Sequence, residues 1–532
     1  MFSSYYQVII LTAVGVASMY IYRLAAYRRR MKGAKEPPGP KGWPIVGNAP
    51  ELASSDGNLI PIFNKWSDEY GDIVQFSILG EKQVILAKES ITRDLFVMRG
   101  SKYSGRGTPH AISHMFNYMN PTLEINDERW KRQRKLIHQA VSITATDKYL
   151  SAMEEEAEIT LRDLLRDPES FDKHLARYSF GVLTRSMLGF RIKTGDDPYI
   201  AHVLDQIGEF LKGFRPDEYP SNVFPLLRVF PTWLVPSLGK MEKMRLDMYA
   251  EICALRERVQ KSVQDGTAST STYRHFIEHR DEHNLSDDEA GYAFETMIAA
   301  GVASPHNLLL TFLFLMMEYP EWQKKLQEQV DQVVGKDRQP CFEDIPNLPV
   351  VRAVVKESLR YRTIKAELGI PHRLEVDDIY QGYFFPKNTV FHGNLTYITT
   401  MFHSRPVANH YHRAILMDKQ LYPDQQLFNP ARWLDEDYPT YKEPLTEHPN
   451  LKNYAAFGFG RRACPGYDFS ERTLVILVAK IAWACEISKP IDPATKKPVE
   501  VTLRHEPTPN PKPLAFPCDI KPRSGDKVKI VG

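Results

Sequence analysis

Cysteine is scarce in this chain. There are five in 532 residues, at Cys253, Cys341, Cys464, Cys485 and Cys518, with no C-x-x-C pair. That scatter argues against a disulfide framework or a zinc site, and a reducing compartment is the simplest reading for the main body. An excess of charge of one sign is also missing. Lys and Arg total 68 against 66 Asp and Glu, a net +2, so global electrostatics give no reason to expect nucleic acid as a partner. No internal repeat is visible. Charge is absent altogether from Met1 to Tyr22, and Val8–Tyr22 is almost wholly apolar. As a helix this span would reach about 30 Å, the thickness of a bilayer's hydrocarbon core.

The residues just after that span are basic: Arg23, Arg28, Arg29, Arg30, Lys32 and Lys35. A cleaved signal peptide carries its charge before the apolar run and a small-residue site after it. Here the charges come after, and no A-x-A site appears. An uncleaved anchor over 1–27 is therefore expected, with the body on the cytosolic side. Residues 28–50 continue as a basic, Pro-rich hinge (EPPGPKGWPIVGN over 36–48), too rich in Pro and Gly for a helix. The remainder, 51–532, is expected to be one body, mainly α with a smaller β-sheet region. Ile73–Ile78 and Gln83–Ala87 alternate around Gly80 and read as a hairpin.

One stretch carries chemistry: Phe457-Gly458-Phe459-Gly460-Arg461-Arg462-Ala463-Cys464-Pro465-Gly466. Glycines let backbone amides approach the sulfur, and the helix expected from about Tyr467 to Cys485 turns its positive end toward it. Both favour thiolate over thiol, a ligand for a soft or polarisable metal. The spacing F-x-x-G-x-R-x-C-x-G, at Phe457, Gly460, Arg462, Cys464 and Gly466, resembles the haem-binding loop of the cytochrome P-450 family. The resemblance implies haem b with Cys464 as axial thiolate. It also implies a monooxygenase acting on a hydrophobic small molecule, with electrons from NADPH through NADPH-cytochrome P-450 reductase.

Other motifs of the family occur in order. Trp130 and Arg134, on the basic helix Glu128–Ala140, match the W-x-x-x-R that clamps a haem propionate, and the same helix can face an acidic electron donor. Glu357 and Arg360 form E-x-x-R, and Arg432 belongs to the later P-x-R-W. The resemblance implies that these three form a buried charge cluster behind the cysteine loop. His372, after Pro371, stands where a propionate contact is expected. The anchor and closing motifs, with Tyr441–Leu445, resemble microsomal fungal members of secondary metabolism. The expected location is the endoplasmic reticulum membrane, single-pass, with membrane lipid as a further partner. Asp217–Val235, rich in Pro and aromatics, either gates a channel at the membrane surface or packs as a simple connection.

The long apolar helix after the capping box Ser286–Glu289 departs from the family pattern A/G-G-x-D/E-T-T. It reads Ala300-Gly301-Val302-Ala303-Ser304-Pro305-His306-Asn307. Ala303 stands in place of the acid and Ser304 in place of the threonine. Pro305 lacks an N–H, so the Gly301 carbonyl loses its helical donor and can hold water. Ser304, Gly301 and Asn307 are therefore the candidates for proton delivery. Either a hydroxyl and a water chain retain oxygen activation, or proton delivery is impaired. The second branch leaves open a non-hydroxylating reaction (dehydration, isomerisation, oxidative coupling), and a haem binder or sensor is the non-enzyme alternative. Leu395–Tyr411 matches nothing in the family pattern and is a surface insertion or an untranslated stretch carried into the coding sequence. Sequencing the transcript decides between them: a message encoding these residues continuously removes the second reading.

Overall fold

The computed structural model describes residues 2–54, 59–124, 127–361, 370–394, 414–441, 451–505 and 512–532. The Leu395–Tyr411 segment, and most of the Thr363–His372 and Tyr441–Leu445 stretches, lie outside these. The longer helices in chain order are α1 (Phe2–Met31), α2 (Ile60–Tyr70), α3 (Glu128–Val141), α4 (Leu150–Arg166), α5 (Phe171–Leu188) and α6 (Pro198–Lys212). They continue with α7 (Pro236–Gln264), α8 (Asp287–Glu318), α9 (Pro320–Val333), α10 (Pro349–Tyr361) and α11 (Tyr467–Ala484). Among the described residues nine strands accompany them: β1 (Ile73–Ile78), β2 (Glu81–Leu86), β3 (Gly105–Arg106), β4 (His372–Arg373), β5 (Asp378–Tyr380), β6 (Tyr383–Phe385), β7 (Val390–Gly393), β8 (Cys485–Ser488) and β9 (Asp519–Pro522). The mainly helical class with small sheets is as the sequence suggests.

α8 organises the body. Ser286 and Glu289 close the capping box in both directions, at 3.1 and 2.9 Å. Its 32 residues carry Pro305 without a break. By length and apolarity α8 would pass for a membrane span, but it is mostly buried, packing against α3, α5, α7, α10 and α11 as a core helix. A helix apolar on all sides must be enclosed.

The five-stranded sheet runs β1-β2-β7-β4-β3, with β2 and β7 parallel and the other pairs antiparallel. The β1–β2 hairpin turns through Leu79 and Gly80, both at positive φ, as its strand twist prefers. This sheet brings Arg106 opposite His372, a long-range pairing that no local pattern announces.

α1 runs on through the arginines to Met31. Its last turns dock on the β5–β6 hairpin: Arg30 forms a two-pronged pair with Asp377, and Tyr27 meets Phe384 edge-on at 5.5 Å. The Pro-rich stretch after it lies along the sheet, Gln75 N–H donating to Pro38 at 2.8 Å. A side chain at Gly39 would collide with the Gln75 carbonyl, at 1.8 Å. The direction in which α1 leaves the body is thus fixed by side-chain and backbone contacts.

Behind the cysteine loop, the structure brings Glu357, Arg360 and Arg432 together, all fully buried. Arg360 grips both Glu357 oxygens (2.8 and 2.9 Å), and Arg432 Nε donates to Oε1 at 3.0 Å. Trp433 Nε1 and the Asn429 amide complete the carboxylate's shell, each at 3.0 Å. Remaining guanidinium hydrogens reach the carbonyls of Pro423, Gln425 and Leu427. Burial works against charge on Arg360, and Glu357 more than restores it. Removing one partner from such a cluster leaves buried charge unpaired. Glu357→Gln is expected to cost about 3–5 kcal/mol of stability by chemical denaturation, with Trp433→Phe costing less, about 1–3 kcal/mol. A stable Glu357→Gln protein would contradict this role.

Candidate active site

The cysteine loop is built on two backbone constraints. Gly458 and Gly460 sit at φ of 80° and 61°. A side chain at Gly460 would also lie 2.0 Å from the Phe96 carbonyl oxygen. Only glycine meets both conditions without displacement. The Cys464 amide donates back to the Phe457 carbonyl at 2.7 Å, closing the loop. α11 begins at Tyr467, so its N-terminal amides come directly after the cysteine. Gly466 keeps a Cβ-sized space beside the Cys464 sulfur, 3.9 Å away. All five cysteines are unpaired, and burial pushes the Cys485 and Cys518 thiols up to about 12, so both are inert packing residues.

Beside this loop lies a patch of positive charge. Arg106, Arg134 and Arg462 are held together by separate elements: β3, α3 and the loop itself. Burial and the neighbouring guanidiniums depress the charge of Arg106, and burial likewise depresses Arg134. Arg462 is pushed down to about 10 by burial and by Arg134. Their donors reach backbone carbonyls: Arg462 those of Ser104 and Glu124 (2.8 Å each), Arg106 those of Ile370 and Pro371 (2.5 and 2.8 Å), Arg134 that of Ala463. Among the described residues no carboxylate pairs with any of the three. Two buried donors here also lack an acceptor, Trp130 Nε1 and Arg462 Nη1, while the Arg462 guanidinium lies over the Trp130 ring at 4.2 Å.

His372 completes the patch. Its Nδ1 bonds the Tyr103 carbonyl at 2.7 Å, and its ring stacks on Phe96 at 3.8 Å and 4°. Burial, then the charge of Arg106, holds its pKa far below the usual value, so it is neutral. Four sequence candidates (Trp130, Arg134, His372, Arg462) thus meet in one place. Arg106 joins them unforeseen. Its only sequence signal is an arginine between two glycines, Gly105 and Gly107, in a loop of otherwise uninformative residues.

Across the fold, α8 shows one interruption in its burial. Ala300 is exposed, and Ala299, Gly301 and Ser304 are partly so, within turns that are otherwise buried. These residues of α8 are the ones its neighbours leave uncovered, and they fall at the segment the sequence singles out. Gly301 itself abuts Leu183 of α5, where a Cβ would lie 3.0 Å away. Asn307 is buried. A second apolar cluster lies beyond, where Ile112, Met115 and Phe116 meet Tyr219, Met248, Ile252 and Tyr292. No sequence pattern announces it, because its members come from four separate stretches of the chain.

Buried cations that no carboxylate pairs with among the described residues, and donors there without an acceptor, call for a ligand that brings its own negative charge. A flat macrocycle bearing two carboxylates, with a metal at its centre facing a cysteine, meets that demand. The residues present therefore fit haem, and the protein class so defined is a helical haem-thiolate oxidoreductase. The comparison with known families agrees. The Cytochrome P450 family matches residues 37–406 and 407–509, the break falling inside Leu395–Tyr411. Cytochrome P450 monooxygenase psoD of Aspergillus fumigatus is 51% identical over 494 residues, covering 93% of this chain and 92% of that protein. Cytochrome P450 monooxygenase COX2 of Coprinopsis cinerea is 31% identical over 517 residues, 96% and 93% of the two chains. Cytochrome P450 monooxygenase fogE of Aspergillus ruber is 30% identical over 521 residues, 96% and 91%. The chain belongs to the cytochrome P450 family of monooxygenases.

Arg106 gives this site its sharpest test. Arg106→Ala is expected to lower haem affinity about 10- to 100-fold, as loss of a supporting contact does at other metal sites. Titrating haem into the haem-free variant measures it; unchanged affinity would remove Arg106 from the site.

Proposed function

We propose that this protein is a membrane-anchored haem-thiolate monooxygenase that oxidises a hydrophobic small molecule in a fungal secondary-metabolite pathway. The observation that carries the reading is the buried cluster Arg106, Arg134 and Arg462, unpaired with any carboxylate among the described residues, beside the glycine-bound Cys464 loop. Cys464, on a loop closed by its own amide and followed directly by the N-terminus of α11, would hold the haem iron. Trp130, Arg106, Arg134 and Arg462 would hold the two propionates by charge-assisted hydrogen bonds, with His372 beside them, its ring stacked on Phe96. Gly460 keeps the loop close to Phe96, Phe457 accepts the Cys464 amide, and Gly466 leaves room at the sulfur. When bound, the haem supplies activation of dioxygen by an iron whose thiolate ligand donates electron density.

On the opposite side, Ser304 offers a hydroxyl and Gly301 a carbonyl without its helical donor. Together they would hold water at the uncovered face of α8. Asn307, one turn beyond Ala303, supports that helix turn. The apolar cluster of Ile112, Phe116 and Tyr292 suits an apolar substrate and excludes bulk water from the chemistry. The electron donor is an NADPH-dependent reductase, with the basic helix α3 as a surface of suitable sign.

For membrane attachment, the support is α1 and its surroundings. Leu11, Val14, Met19, Ile21 and Tyr22 are exposed along it. Further exposed apolar groups occur at Trp43 and Ile45, and in the Pro-rich connection at Phe224, Leu226, Val229, Trp233 and Leu234. Exposed apolar surface of this extent is characteristic of interaction sites. This favours the membrane-surface reading of Asp217–Val235 and an endoplasmic reticulum location with the body in the cytosol.

The reduced protein with carbon monoxide should give the haem-thiolate difference spectrum, and Cys464→Ala should lose it. A spectrum that survives the substitution would sink the ligand assignment. Product carrying label from dioxygen, dependent on NADPH and reductase, then establishes monooxygenation; product without label would favour the non-hydroxylating alternative raised by Ala303 and Pro305.

A further inference from the structure

Away from the cysteine loop, three histidines recur at every fourth position in the segment joining α7 to α8: His275, His279 and His283. The segment folds as two short helices, Thr272–Glu278 and Arg280–His283. Residues four apart on a helix share one face. His279 stands at the junction, outside helical geometry at φ of −128° and ψ of 36°. The row of rings continues across that break. The His275 and His279 ring centres are 4.3 Å apart with planes inclined at 39°, and His275 and His283 are 6.2 Å apart.

The ring nitrogens of this row are short of partners. His279 Nδ1 lies 3.0 Å from the His275 carbonyl oxygen, which can only accept, so Nδ1 carries the hydrogen. In the neutral ring the lone pair is then on Nε2. An imidazole held through Nδ1–H by a carbonyl, with Nε2 free, has the posture of a metal-ligating histidine. His283 Nε2 is buried and has no hydrogen-bond partner among the described residues. The His275 ring is exposed and makes no hydrogen bond among them either.

The charges nearby balance. Lys148 and Lys135 act against a cation here, while Glu278 and Glu282 favour one. The donor atoms therefore select the ion. Neutral imidazole suits zinc, copper and nickel, whereas magnesium and calcium take oxygen ligands. Two histidines four apart on a helix face are a known zinc-binding spacing. Rings that share a metal through nitrogens about 2.0–2.1 Å from it have centres about 4–5.5 Å apart. The His275–His279 pair meets that condition as it stands. Among the described residues no three ligating side chains already converge on one point, so His283 joins by side-chain rotation.

We propose that His275 and His279, with His283 closing from the next helix, bind one divalent transition ion of the zinc class. Water completes its coordination. The ion clamps the break between the two short helices just ahead of α8. The site is independent of the haem-thiolate reading.

The test uses untagged, haem-loaded, full-length protein, first cleared of loose metal with a chelator, and zinc sulfate as the probe. Calorimetric titration should show one saturable equivalent. Zinc should raise the unfolding temperature, because it binds the folded chain, and magnesium should not. Loss of a ligand should weaken zinc at least as much as loss of a supporting contact does, about 10- to 100-fold. That is the fall expected for His275→Ala and for His279→Ala. His283→Gln should weaken zinc by a smaller factor and abolish the thermal shift, since the bridge between the helices is gone. Circular dichroism of each zinc-free variant, matched to the parent, reports an intact fold. Should an alanine variant unfold, the glutamine variant at the same position carries the comparison. No saturable equivalent in the parent would overturn the proposal. So would an equivalent that survives unweakened when both His275 and His279 are replaced, because the zinc would then sit elsewhere. Zinc bound without any thermal shift would overturn the clamp.

Discussion

Positive charge buried with no carboxylate paired to it among the described residues is the constraint on which this structure turns. Arg106, Arg134 and Arg462 converge from a strand, a helix and the cysteine loop, and burial works against the charge of each. Backbone carbonyls satisfy many of their hydrogens but supply no net charge. A buried group left in that state is unstable unless something neutralises it. Two carboxylates on a rigid planar ligand would do so, and would also engage the orphaned donors on Trp130 and Arg462. The cofactor is then part of the fold's electrostatic balance as well as the source of its chemistry.

The second cluster solves the opposite problem. Glu357 is surrounded by its own cations and donors, so α10 and the segment around Arg432 are locked as one unit. That unit reaches the cysteine loop through aromatic contacts. Trp433 packs on Tyr454 at 5.6 Å, and Lys356 lies over both rings. Tyr454 starts the turn ending at Phe457, whose carbonyl accepts the Cys464 amide. A saturated charge cluster thus positions a loop whose neighbouring charges are unsaturated. Rigidity on one side holds open a site that only a ligand completes.

Much of this is legible in the amino-acid sequence by itself. The capping box, the hairpin at Gly80 and the span of α8 and α11 come from short-range rules of periodicity and capping, while the Glu357-Arg360-Arg432 cluster comes from the resemblance to the family's E-x-x-R and P-x-R-W motifs. Arg106 is not legible there, because its role depends on β3 pairing with β4 and on the sheet order that brings them together. The shell of Trp433 and Asn429 around Glu357 is hidden for the same reason: it joins residues far apart in the chain. The docking of α1 on the β5–β6 hairpin through Arg30 and Tyr27 is likewise invisible, since a run of arginines reads only as a flank. On α8, Ala303 and Pro305 stand out as departures, while the contacts of His306 with Asp172 and of Asp172 with Lys512, which tie α8 to another helix and to the C-terminal region, are not legible.

The two faces of the site therefore differ in kind. The proximal face keeps the family's pattern residue by residue. The α8 side keeps a hydroxyl at Ser304 and a carbonyl at Gly301 that Pro305 leaves without its helical donor, with Ala303 where the family has an acid. The haem of the proposed reading would bring two carboxylates to the arginine cluster, and that dependence can be measured directly. Haem and its dimethyl ester should be titrated separately into the haem-free protein while thermal unfolding is monitored. The account predicts tight binding and a raised melting temperature with haem, and much weaker binding and stabilisation with the ester, which lacks the two negative charges. Equal binding and equal stabilisation by the two would contradict it.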